Sequence, residues 1–406
     1  MFSGQNIAER KRRVTAAGVV TAVLCALLLL PAPAAAAFPP GGSNGKIIFD
    51  STRTPPASLF TMNADGSNPL ALTSGVSSQE PVYNPLGNRI AFTRAEGGNI
   101  DIFTMNADAS GLVNRTSGVS GTAFEPAWSP DGAKIVFTQF TAPASEDVLI
   151  MNADGTGIIN LTNSGTLLNE EPDFFPDGSK IVFSRIDGGD KDIFSMNPDG
   201  SGLVNLTPGT PGTGETFPTV SPDGKRIALA RVAADDDIYL MNVDGSGLVP
   251  AAGNAVGAAD IAPNWSPDGT KIVFQRGDPP NGDIWTLNAD GSSPALLPGS
   301  SAANDGNPSF EPVFSCAGRR VTLLGTAGKD KLKGTSGADV IAGLGGKDTL
   351  TGRGGKDRIC GGDGKDTLRG GGGNDRLLGQ KGKDKLFGGA GNDVLKGGKG
   401  KDTAVQ

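Results

Sequence analysis

The chain of 406 residues contains no histidine. That absence removes Ser-His-Asp and Cys-His nucleophile systems, HExxH zinc sites, and the side chain most used as a general base near neutral pH. Cysteine is almost absent as well. Of the three, Cys25 falls in an apolar leader, and Cys316 and Cys360 alone are too few for a disulfide scaffold or a zinc ribbon. Aromatics make up 6% of residues, and no basic block is interleaved with them. With an isoelectric point near 4.9, nucleic acid is not an expected partner of the main domain.

Long apolar runs occur once, over residues 14–30, after Arg10, Lys11, Arg12 and Arg13 and before the small residues 34–37. Basic start, apolar centre and small-residue close are the order of a secretory signal peptide, with cleavage expected near Ala37. An uncleaved anchor is the other reading of the run. Leu24 stands where a lipoprotein site needs a small residue, so Cys25 reads as filler. The pair Arg12 and Arg13 lacks a twin-arginine context. The general route of export is expected, leaving no membrane span after cleavage and a secreted, periplasmic or cell-surface protein.

What the sequence has in excess is glycine, 62 residues, and its placement is regular. Residues 325–405 divide into nine consecutive nine-residue units, from GTAGKDKLK to GGKGKDTAV. Glycine holds the first and fourth place of every unit and aspartate the sixth; the eighth is Leu or Ile from Leu332 to Leu395, then Ala404. Glycine permits a sharp turn in each unit. A short strand then carries the eighth side chain inward, so that two units make one coil. Stacked turns gather carboxylates and carbonyls, the hard oxygen donors that calcium takes.

This pattern resembles the hemolysin-type (RTX) nonapeptide repeat, a parallel β-roll that binds Ca²⁺. The resemblance implies calcium ligands at Asp330, Asp339, Asp348, Asp357, Asp366, Asp375, Asp384, Asp393 and, in the degraded last unit, Asp402. Sites between alternate units would number up to seven, four on one side and three on the other. The stretch departs from the pattern in charge. It holds 16 Lys plus Arg against 10 Asp, a net of +6, with Lys at the fifth place of six units. The region 38–324 is acidic instead, at a net of −16.

Residues 46–315 repeat on a longer period. The clearest copy, EPAWSPDGAKIVFTQ followed by EDVLIMNADGTGIINLT, starts at Glu125. Anchoring prolines at Pro81, Pro126, Pro172, Pro218, Pro263 and Pro312 give steps of 45, 46, 46, 45 and 49 residues. Each copy reads as four short strands joined by P-D-G and A-D-G turns, the make-up of a propeller blade. The chain opens with strands two to four of a blade and closes the array with a first strand, FEPVFS. Five whole blades and one shared blade make six. The repeat resembles that of TolB-like six-bladed propellers. The expected fold is all-β: 1–37 signal peptide, 38–315 six-bladed β-propeller, 316–324 linker, and 325–406 parallel β-roll.

Four blades place a glutamate before the proline: Glu80, Glu125, Glu171 and Glu311. If the first strand is innermost, these acids ring one mouth of the channel and attract a cation or basic peptide. Otherwise each accepts hydrogen bonds from the blade backbone. Asp101, Asp147, Asp192, Asp237 and Asp283 open third strands and read as strand-end caps, and Trp128 and Trp265 as core. Cys316 and Cys360 are a possible disulfide joining roll to propeller.

The expected protein is exported, calcium-binding and non-catalytic, with a propeller that recognises an unknown protein, peptide or surface polymer. A propeller hydrolase or lactonase with a calcium-stabilised tail is the alternative, and a cell-surface or matrix component is a third.

Overall fold

The computed structural model describes residues 43–406 except 142–144, 166, 188, 210–213, 233–235, 255–256, 278–280, 301–302 and 327. The expected leader and its cleavage site lie outside the described residues. All regular elements among the described residues are strands. The described chain divides into two compact units, one holding 44–311 and the other Ser43 with 312–406.

The first unit is built from blades of four antiparallel strands. In the third blade these are Thr122–Trp128, Lys134–Thr141, Ser145–Asn152 and Ile159–Asn160. The sequence explains the hairpin. In Ser129-Pro130-Asp131-Gly132, the Ser129 hydroxyl bonds Asp131 Oδ1 and accepts the Lys134 N–H at 2.8 Å, while Gly132 takes φ 68°. Ile135, Val136, Phe137 and Thr138 in the next strand are buried on both faces, because a blade packs on a neighbour each way. The fourth strands are only two residues long and exposed or half-exposed, so the outer edge of each blade offers little backbone for pairing.

The shared blade closes the ring. Strand Asp305–Val313 pairs with Ser43–Ser51, which continues to Ser58–Met62 and Leu70–Ala71. Ile47, Phe49, Phe60 and Met62 of this blade pack with Val273, Ile284 and Leu297 of the blade before it. Six blades result, in the expected order. Trp128 and Trp265 are buried, with Arg89 and Arg226 over their rings at 5.4 Å.

The second unit contains the roll. Two parallel sheets each advance by 18 residues: one through Leu323–Leu324, Val340–Ala342, Arg358–Gly364, Arg376–Gly382 and Val394–Lys399, the other through Lys331–Lys333, Thr349–Gly354, Thr367–Gly372, Lys385–Ala390 and Thr403–Val405. The eighth-place residues Ile341, Leu350, Ile359, Leu368, Leu377 and Leu386 form a core one side chain thick. So thin a core is a small share of what must offset the ordering of glycine-rich backbone, and the roll needs another source of cohesion.

The stretch expected as a linker, 316–324, is part of this unit. A hairpin of Ser315–Cys316 with Arg319–Arg320 leads into Leu323–Leu324, which pairs with Ile341 and Ala342. Leu323 stands nine residues before Leu332 and adds a layer to the roll ahead of the first glycine unit. Cys316 and Cys360 are bonded, with Cα atoms 5.8 Å apart. Both lie in this second unit, so the bridge fastens the hairpin to the roll rather than the roll to the propeller.

Candidate metal centre along the roll

Each sixth-place aspartate sits where one coil meets the next. The backbone N–H of Asp330 donates to Asp348 Oδ1 at 2.8 Å, and the same bond joins Asp348 to Asp366 and Asp366 to Asp384 at 2.9 Å. On the other edge Asp339, Asp357, Asp375 and Asp393 repeat it at 2.8–2.9 Å. Oδ1 therefore ties coils together. Oδ2 of Asp348, Asp357, Asp366, Asp375, Asp384 and Asp393 is buried without a hydrogen-bond partner. A buried carboxylate oxygen left bare is expensive unless a cation meets it.

The first-place glycines keep the space beside these oxygens open. A Cβ on Gly343 would lie 2.5 Å from both Asp348 Oδ2 and the Gly361 carbonyl oxygen of the next coil. Gly379 stands in the same relation to Asp384 Oδ2 and the Gly397 carbonyl, also at 2.5 Å. Cradles of this make-up recur at seven units, from Gly325 to Gly379. Carboxylate and carbonyl oxygens converging without nitrogen or sulfur form a donor set suited to a hard divalent cation. The residues fit calcium. The sequence pattern marked the aspartates; the carbonyls of Gly343 to Gly397 emerge only from the stacking of coils.

The nine aspartates are not equivalent. Oδ2 of Asp330 accepts the N–H and hydroxyl of Thr326 at 2.7 and 3.0 Å, and Asp339 does the same with Thr335. Threonine at the second place closes these first two cradles from within the turn. Asp402 lies in the last coil, where Oδ1 accepts the Asp384 N–H at 3.0 Å.

Electrostatics sets the same group apart. Burial, reinforced by the like charges of Asp366 and Asp330 and opposed by the Asp330 N–H, pushes the Asp348 carboxyl up to about 7. Asp357 rises to about 6 for the same reasons, and Asp366, Asp375 and Asp384 are also raised. A calcium ion held by these carboxylates would supply the missing countercharge.

The glutamates of the propeller are engaged in a different way. Glu80, Glu125 and Glu171 occupy a bulge in the first strand at φ 55–59°, a position filled in the other blades by Phe217, Ala262 and Asn307. Glu80 Oε2 accepts the Thr93 hydroxyl at 2.6 Å and the Glu125 N–H, one blade on, at 2.8 Å. Glu125 does the same for the Thr138 hydroxyl and Glu171 N–H, both at 2.9 Å, and Glu171 for the Ser184 hydroxyl and Phe217 N–H. Lys191 Nζ also reaches Glu171 Oε1 at 3.2 Å. All three acids are buried, so they latch neighbouring blades. Glu311 is not among them. Strand Asp305–Val313 carries two candidate positions, and Asn307, before Pro308, takes the bulge at φ 51°. Asn307 Nδ2 donates to Asp50 Oδ1 at 2.7 Å, whereas Glu311 Oε2 accepts the Lys46 N–H. The last step of the repeat is thus 45 residues, from Pro263 to Pro308. At the two remaining positions Phe217 and Ala262 form an apolar cluster with Ala230 and Ile261.

A family model of the TolB β-propeller domain matches residues 109–312, just over half of the chain. The chain belongs to the TolB β-propeller family. A model of the RTX calcium-binding nonapeptide repeat matches four times between residues 324 and 404, and these repeats bind Ca²⁺. Among solved structures, TolB from Acinetobacter baumannii is 21% identical over 67% of this chain and 68% of its own, with a TM-score of 0.57. A putative TolB from Agrobacterium tumefaciens is 17% identical over 68% of this chain and all of its own, at 0.52. The hydrazine synthase of Kuenenia stuttgartiensis is 16% identical over 67% of this chain and 47% of its own, at 0.58. At these identities the likeness carries the fold alone. No curated protein sequence matches the chain.

Within the TolB-like propeller, three of the five aspartates that open third strands, Asp101, Asp147 and Asp192, clamp the fourth. Asp101 accepts Asn114 Nδ2 at 3.0 Å and the Thr116 hydroxyl at 2.8 Å, and Asp147 treats Asn160 and Thr162 alike. Asp192 holds Asn205 at 2.8 Å. These contacts belong to blade construction.

Proposed function

We propose that this is an exported, non-catalytic calcium-binding protein. Its TolB-like propeller is a recognition surface, and its roll orders when calcium fills the aspartate–glycine cradles. The observation that carries this reading is the row of buried Oδ2 atoms facing carbonyls of the next coil, repeated from Asp348 to Asp384. The ligating set is Asp348, Asp357, Asp366, Asp375, Asp384 and Asp393, with Asp330, Asp339 and Asp402 secondary. Extracellular calcium modules work at about 10⁻⁴–10⁻³ M, so such a tail stays loose at cytosolic calcium and orders after export.

The absence of histidine and the use of the propeller's recurrent acids in blade construction support a binding rather than a catalytic role. The test has two readouts. Hydrogen exchange of peptides spanning 340–400 should slow strongly on adding millimolar calcium, while propeller peptides change little. Protein recovered outside the producing cell should begin near Phe38. Unchanged exchange in the roll, or an intact leader on protein retained inside, would contradict the corresponding half of the proposal.

A further inference from the structure

The lysines of the roll are not spread evenly around it. Lys329, Lys347, Lys365, Lys383 and Lys401 fill the fifth place of every odd-numbered unit, and all five are exposed. Odd-numbered units supply the turns along one edge, because the register advances by 18 residues per coil. At the equivalent place the other edge has Ala338, Lys356, Asn374 and Asn392, and Asn374 Oδ1 accepts the Asn392 N–H at 2.9 Å in a neutral ladder. Odd-numbered units together carry 11 basic and six acidic residues, even-numbered units five and four.

Parallel coils stack about 4.8 Å apart, so the five ammonium groups form a single file along one edge. Like charges at that spacing repel. Lys381 adds to the file at its distal end, bonded at 2.8 Å to Asp363. There a shallow groove of about 610 Å³ runs between Lys365, Lys381, Lys383 and Lys401. Five repelling charges held in line by a rigid scaffold are relieved by an anion that runs parallel to them.

We infer that this lysine edge is a binding track for a linear acidic polysaccharide. The inference rests on the calcium-ordered roll, because only stacked coils align the lysines. A file one residue wide matches a single polymer chain better than the plane of a bilayer. Lysine acts as a point charge, without the planar fork by which arginine selects paired oxygens, and thus suits anions repeated along a chain. The turns that carry these lysines hold no aromatic, and Phe387, the one aromatic of the roll, lies in strand Lys385–Ala390 with Arg369 over its ring at 4.6 Å. A single ring so engaged is no stacking platform for successive bases, which disfavours single-stranded nucleic acid. Calcium adds to the attraction by neutralising the aspartates beside the lysines.

The experiment uses the full-length protein at saturating calcium with a defined alginate oligomer as probe. Circular dichroism on each sample first reads calcium ordering, which separates failure of the roll from failure of the track. Replacing Lys347, Lys365, Lys383 and Lys401 with Gln should weaken alginate binding roughly tenfold or more and flatten its salt dependence, with calcium ordering retained. Replacing Arg353, Lys356, Arg376 and Lys396 with Gln removes the same charge from the other units and should leave binding within about twofold of the parent. Equal loss in both variants, or no alginate binding by the ordered parent, overturns the track. Tighter binding to polyuridylate or to phosphatidylglycerol vesicles than to alginate overturns the polysaccharide assignment.

Discussion

Asp348 receives the backbone N–H of Asp330, one coil earlier, on Oδ1 at 2.8 Å, while its Oδ2 stays buried without a hydrogen-bond partner. One carboxylate is thus a rung through Oδ1 and is placed to be a ligand through Oδ2. Repeated along two edges, this division of labour would make the roll's order depend on calcium.

The aspartates should separate into two classes. Changing Asp348, Asp366 and Asp384 to Asn should remove most of the calcium-induced β signal, because those carboxylates face open cradles. Changing Asp330 and Asp339 to Asn should reduce it little, since Thr326 and Thr335 already occupy their Oδ2 atoms. Calcium titrations of the triple variant and the double variant check this; equal effects would refute the distinction.

Gly343→Ala tests the cradle itself. The added Cβ would come within 2.5 Å of Asp348 Oδ2 and the Gly361 carbonyl, where the ion's space should be. Calorimetry should show about one calcium fewer per chain, with ordering shifted to higher calcium. An unchanged stoichiometry would place the ion elsewhere.

Acid should act oppositely on the calcium-free and calcium-bound protein. Asp348 and Asp357, at about 7 and about 6 in the roll, titrate at 3.8 when unfolded. Raised folded values contribute stability that is complete below 3.8 and lost as the pH climbs through 6–7. The calcium-free roll should therefore loosen between pH 5 and pH 8, read by hydrogen exchange corrected for the chemical rate. Ligation requires the ionised carboxylates, so calcium affinity should fall over the same range as the pH drops, with proton release on binding near pH 6. Calcium affinity independent of pH from 5 to 8 would contradict these assignments.

In the propeller, Glu125→Ala should destabilise by about 2–3 kcal/mol. It leaves the Thr138 hydroxyl and the Glu171 N–H buried without their carboxylate. Glu311→Ala should cost about 0.5 kcal/mol, as that side chain lies outside the ring of latches. Denaturant unfolding of the propeller reads both.

Much of the architecture was legible because its signals are periodic. The blade count followed from proline-anchored copies, and the roll from glycine, aspartate and leucine held in phase. The last blade misled at Glu311 because Asn307-Pro308 and Glu311-Pro312 lie four residues apart, and only the bulge at Asn307 decides between them. Leu323 was hidden because the first roll layer lacks the glycines that mark the others. The cradle carbonyls and the threonine-closed sites were invisible for another reason. They depend on which backbone atoms face one another across 18 residues, and a one-dimensional pattern names the side chains alone. The one-sided lysine file was present in the odd units from the start, yet only the two-units-per-coil register gives it a place.

The most direct test of the account is calcium titration of the full-length protein followed by circular dichroism, with the Asp348, Asp366 and Asp384 to Asn variant alongside. The account predicts a cooperative gain of β signal between about 10⁻⁴ and 10⁻³ M calcium, absent from the variant and reversed by a chelator. A parent protein whose spectrum stays flat well beyond that range, or a variant that responds as the parent does, would contradict it.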